Sequence, residues 1–162
     1  YTTPPENTRE IDKLFDAGVG RLMCDIEFWD EAYLREMCPG KAKWTGTQRA
    51  IDLLTYIART HGPWRACSEF VTGCEPVENI LEGMEFLASK GVVPIPSIWH
   101  RHGTPDPGRS VVPGLEYFRK LRKGAAAIYE KYGVEPPGDI GFNVNFSRDI
   151  WNHRKAILEE SA

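Results

Sequence analysis

No apolar run in this 162-residue chain approaches the roughly 20 residues that cross a bilayer, and its start carries no signal-peptide pattern. Neither sign of charge dominates. With 20 basic against 23 acidic residues and a net charge of -3, there is no general electrostatic reason to bind nucleic acid or an anionic membrane. Both partners are set aside, and a cytoplasmic protein is the default. Cysteine is scarce: Cys24, Cys38, Cys67 and Cys74 form no CxxC pair and no zinc-finger spacing, so buried free thiols of a reducing compartment are expected. HExxH, a Walker loop, a GxSxG elbow and GxGxxG are all missing.

What is present is ordinary for a soluble globular protein, with 41% hydrophobic and 27% charged residues and length enough for a real core. Tyr1 is followed at once by "TTPPEN", which looks like a strand-to-helix loop with nothing before it, so a missing N-terminal segment is expected. Pro5 to Ala17 reads as a helix with Ile11, Leu14 and Phe15 on one face. A strand over about 20–27 follows, then a brief helix from Asp30 to Met37, stopped by Pro39 and Gly40. Thr45 or Thr47 can cap a longer helix that buries Ile51, Leu54, Ile57 and Ala58. A second strand covers "WRACSEFV".

The clearest helix carries Val77, Ile80, Leu81, Met84, Leu87 and Ala88 at 3.6-residue spacing. "VVPIPSIW" is a third strand, in which Pro94 and Pro96 fit only where no ladder needs their missing N–H groups. Phe118, Leu121, Ala125, Ile128 and Tyr132 mark a long helix, and 147–159 suits a short last one. Alternation of this kind signals an α/β fold of parallel βαβ units. Three strands are too few to close a barrel, leaving a small open sheet or half of a larger barrel; the abrupt start favours the half-barrel.

In parallel α/β folds the functional groups gather at the carboxyl ends of the strands. Those ends carry Asp25 and Glu27, then Glu69, Gly73 and Glu75, then His100, Arg101 and His102. Each has a plainer reading. Glu27 suits a solvated strand end, Glu75 suits the positive N-terminus of its own helix, and His100 with His102 suits either a metal pair or a charged surface loop.

"FVTGCEP" followed by "VENILEGMEFLASKGVVPIPSIWHRHGTP" resembles the fifth strand, helix and sixth strand of radical S-adenosylmethionine enzymes, especially the branch of biotin synthase and the hydrogenase-maturation protein HydE. "RLMCDIEFWDEAYLREMCPGKA" is similar to the fourth strand of that family. The likeness covers about Thr2 to Pro107 and rests on order and spacing. It implies that 1–112 is the C-terminal half of a partial (βα)6 TIM-like barrel, strands four to six, with 113–162 a helical extension packed on it. It also implies that the complete enzyme cleaves S-adenosylmethionine with a 4Fe-4S cluster, giving a 5′-deoxyadenosyl radical that acts on a small-molecule substrate.

The family's CxxxCxxC is absent here, so the cluster ligands are expected outside this chain. By the resemblance Glu27 meets the ribose and methionine portions, and the loose pattern with Val71 and Gly73 meets the adenine. The residue chemistry agrees: Gly73 lets the backbone approach a flat base, Glu75 holds the turn, and Ile95 to Ser97 lend main-chain groups. The remainder of the barrel, or another chain, is the expected partner at the open sheet edge. Two rival readings are a metal-dependent hydrolase using His100, His102 and Glu27, and a non-catalytic α/β binding module.

Overall fold

In the computed structural model, which describes residues 1–99, 113–138 and 145–160, the chain opens with α1 (Arg9–Asp16) and the short strand β1 (Leu22–Met23). Helices α2 (Glu31–Met37), α3 (Pro39–Trp44) and α4 (Gly46–His61) lead to β2 (Ala66–Thr72). Then come α5 (Val77–Ser89), β3 (Val93–Ile98), α6 (Leu115–Tyr132) and α7 (Asn145–Glu159). The strands form one parallel sheet in the order β1-β2-β3. The α/β class and the parallel βαβ units expected from the alternation are therefore present.

Four local expectations are corrected. The regular part of the first strand is two residues rather than eight, because side chains replace the ladder beyond it. Ser68 Oγ accepts the Ile26 amide at 2.9 Å, Asp25 Oδ1 accepts the Glu69 amide at 3.0 Å, and pairing resumes only at the Glu27–Phe70 bridge. Pro39 does not end helical structure; it opens α3, since the first turn of a helix has no use for its missing N–H. Thr45 precedes α4 without capping it through its side chain, and Thr47 lies buried in the first turn. Leu14 of α1 is exposed, and α1 buries Ile11 and Phe15 alone.

Alternation along β2 sets the two faces of the sheet. Ala66, Ser68, Phe70 and Thr72 are fully buried, and a Cβ on Gly83 of α5 would come 2.7 Å from the Phe70 ring, so this face lies under the helices. Cys67, Glu69 and Val71 point the other way, beside Val93, Ile95 and Ser97 in register. Helix α4 packs on β2, α5 on β2 and β3, α6 on α5, and α7 on α6 and β3. One apolar cluster runs from Ile11 through Leu54, Phe70, Met84 and Leu121 to Ile157. All four cysteines are free, Cys24 and Cys67 buried and Cys38 and Cys74 half-buried. Among the described residues no helix is long and apolar enough to cross a membrane.

Candidate functional site

Glu27 sits at the carboxyl end of β1 in an unusual backbone state. Its φ is +69°, in the left-handed region that non-glycine residues seldom adopt. Hydrogen bonds hold it there from both sides, its amide donating to the Glu69 carbonyl at 3.1 Å and its carbonyl accepting from the Val71 amide at 2.7 Å. The twist turns its carboxylate toward Lys41 of α3, whose Nζ lies 2.7 Å from Oε1 in a pair only about a quarter exposed. A strained residue so firmly fixed at a strand end is a reasonable mark of a site.

Two more acids stand close by. Asp25 and Glu69 both have raised pKa values. Burial is the main cause for each, and Glu27 pushes each further; for Asp25 the hydrogen bond from the Glu69 amide opposes the rise. Beside them a cavity of about 490 Å3 opens against Tyr1, Thr3, Cys24, Asp25, Lys41 and Thr45. Val71 lies next to Ser97 in the ladder, and Glu69 next to Ile95.

The turn after β2 is built on three ties. Gly73 has φ +104°, which requires glycine whatever else occupies the space, and an added Cβ would lie 3.2 Å from Pro113 Cγ. Its amide donates to the Tyr117 hydroxyl at 3.0 Å, and that hydroxyl donates in turn to the Glu75 carbonyl at 3.2 Å. Burial pushes the Tyr117 phenol up to about 12, so it stays a neutral donor. Glu75, 2% exposed, accepts the amides of Trp29 and Asp30 at 2.9 and 3.1 Å. Burial raises its pKa while those amides and the Asn79 side chain lower it. Its carboxylate thus joins the turn after β2 to the entry of α2.

Against known proteins, the chain is 27% identical over 130 residues, 80% of its length, to bacteriochlorophyllide c C-7(1)-hydroxylase of Chlorobaculum limnaeum. It spans about a third of that protein's length (32%). The match suggests a relation to the radical S-adenosylmethionine enzymes. No family model and no solved structure matches. The radical S-adenosylmethionine resemblance read from the strand motifs and this alignment agree at the level of the superfamily.

Of the six residues singled out on that resemblance, Val71 and Ser97 are ladder neighbours, and Glu27 hydrogen-bonds through its carbonyl to Val71. Gly73 and Glu75 follow in the turn after β2, while Ile95 is fully buried one layer below Ser97. His100, Arg101 and His102 lie outside the described residues. Sequence reasoning passed over Lys41 and Tyr117. No local pattern marks either, since each acts through a contact across 14 or 42 to 44 residues of chain.

Proposed function

We propose that this chain is the part of a radical S-adenosylmethionine enzyme that holds the nucleoside end of the cofactor, its sheet serving as strands four to six of a partial (βα)6 barrel. The observation that carries the reading is the convergence of Glu27, Val71, Gly73 and Ser97 at the carboxyl ends of three adjacent parallel strands. The hydroxylase alignment supports it. Glu27 would accept from the ribose hydroxyls, with Lys41 holding its carboxylate. The strand ends around Gly73 and Ile95 to Ser97 would offer main-chain groups to the adenine edge, and the Glu75 and Tyr117 ties would keep that rim in place.

If bound there, S-adenosylmethionine would supply, on reduction, a radical able to remove hydrogen from a substrate. The 4Fe-4S cluster is not a fit for this chain's own thiols. Among the described residues, which include all four cysteines, no three His, Cys, Asp or Glu side chains could hold a metal. Burial also pushes Cys24 up to about 11 and Cys67 up to about 12. The cluster ligands would come from outside. The relative is named for hydroxylation at C-7(1) of a bacteriochlorophyllide. We take functionalisation of a C–H bond as the reaction class.

Calorimetric titration of S-adenosylmethionine into the protein with its remaining barrel strands present tests the reading. Glu27→Ala should lower affinity roughly ten- to hundredfold, about 1.5–3 kcal/mol for a hydrogen bond to a charged group, with the fold retained. Unchanged affinity removes Glu27 from the ribose. No binding by the wild-type protein overturns the proposal.

A further inference from the structure

A second cavity, of about 360 Å3, lies between the segment that enters α1 and one face of α4. Arg49, Asp52, Leu53, Tyr56 and Arg59 line it at the three- and four-residue spacing of a single helical stripe. Leu53 and the Tyr56 ring make an apolar floor, and Pro4 and Pro5 supply the rest of the apolar wall. That floor is fixed before any ligand arrives. Leu53 is buried, and the Tyr56 hydroxyl donates to Asp12 at 2.8 Å while its ring meets His61 edge-on at 6.2 Å.

The charges on the same lining are not balanced. Arg49 donates to the carbonyls of Trp44 and Pro4 at 2.9 and 3.2 Å, contacts that hold its guanidinium still without neutralising it. Arg59 is exposed and has no hydrogen-bond or ion-pair partner among the described residues. Asp52 is the one acid of the lining, and its carboxylate accepts from the Gln48 side chain at 2.8 Å rather than from either arginine. Two cations against one acid leave a single positive charge over an apolar floor. A mostly apolar hollow with a few placed polar groups is the usual make-up of a small-molecule site.

We infer that this cavity binds a small aromatic monoanion. The acid group of the ligand meets the free guanidinium of Arg59, which offers a fork of donors that nothing else in the fold uses. The ring lies over Tyr56 and Leu53 toward Pro4 and Pro5, where the fixed charge of Arg49 favours an aromatic body. Asp52 opposes the ligand and sets its limit at one negative charge. The inference stands apart from the cofactor reading, because none of these residues belongs to the strand-end group.

Fluorescence titration of the full chain with anilinonaphthalene sulfonate, and with the neutral phenylnaphthylamine that has the same aromatic body, tests it. The sulfonate should bind saturably and about tenfold more tightly than the amine, as expected for one hydrogen bond to a charged group. Arg59→Gln should remove most of that difference, leaving the amine's affinity and the Tm unchanged, since Arg59 supports no contact within the fold. Asp52→Asn should tighten the sulfonate several-fold and leave the amine alone, a gain that a merely structural role for Asp52 would not produce. Equal binding of the two dyes, no saturable binding of the sulfonate, an Arg59→Gln variant that keeps its affinity, or an Asp52→Asn variant with no gain would each overturn the inference.

Discussion

Among the described residues nothing hydrogen-bonds the carboxylate of Glu69, and burial, Asp25 and Glu27 in that order raise its pKa. A folded-state value above the unfolded one, about 4.3 for glutamate, means that the folded state holds the proton more tightly. Stability therefore falls as pH rises from below the ordinary carboxylate range through the raised folded value, and the penalty is fully present at pH 7. Glu69→Gln removes it. Because the side chain is only partly buried, solvent screening limits the gain to a fraction of a kcal/mol, roughly 1–2 °C in Tm for a chain of this size. Thermal melts should show the variant ahead of wild type at pH 7 and level with it near pH 3. A constant difference across that range would mean that charge is not the cause.

Between elements, Glu75 acts as a latch. Its two oxygens are the acceptors for the amides that begin the α2 segment, so Glu75→Ala strands two partly buried donors. Relief from burying a carboxylate offsets part of that loss, and the net cost should be about 2 kcal/mol in urea unfolding. Amide exchange should quicken at Trp29 and Asp30 before it does in β2.

Helix α5 and helix α6 offer a second contrast. Gly83 faces rigid neighbours, with an added Cβ 2.7 Å from the Phe70 ring and 2.8 Å from the Trp29 indole. Gly124 faces only the flexible end of Leu81. Alanine improves either helix by about 1 kcal/mol in propensity, but overpacking costs about 1–3 kcal/mol where rings cannot yield. Gly83→Ala should destabilise and Gly124→Ala should be near neutral, and equal denaturation midpoints for the two would contradict the packing account.

For the whole molecule the two edges of the sheet differ. Pro94 and Pro96 deny the outer edge of β3 two donors, and the Tyr129 hydroxyl occupies the Pro94 carbonyl at 2.9 Å. The outer edge of β1 is met at one point, where the Thr2 amide donates to the Met23 carbonyl at 2.8 Å. Any further strand should therefore add beside β1. Light scattering on the isolated chain should show concentration-dependent association, with exchange at the Met23 amide slowing as it occurs. A monomer of 18.3 kDa at every concentration would remove β1 as a docking edge.

The sequence by itself determined the element order and the parallel alternation. Those rest on local periodicity and on glycine and proline, whose effects need no distant partner: Val77–Ser89 carries its 3.6-residue stripe, and Gly133 ends α6 at φ +64°. It also brought Glu27, Gly73 and Glu75 into view, because strand ends are legible from where apolar runs stop. Only the tertiary structure decided what those residues touch. That Asp25 and Ser68 interrupt the β1 ladder, that Lys41 pairs with Glu27, and that Tyr117 and Glu75 tie the turn after β2 are contacts between segments 14 to 46 residues apart. Pairings over such separations depend on how the elements pack, and no periodicity along the chain encodes them.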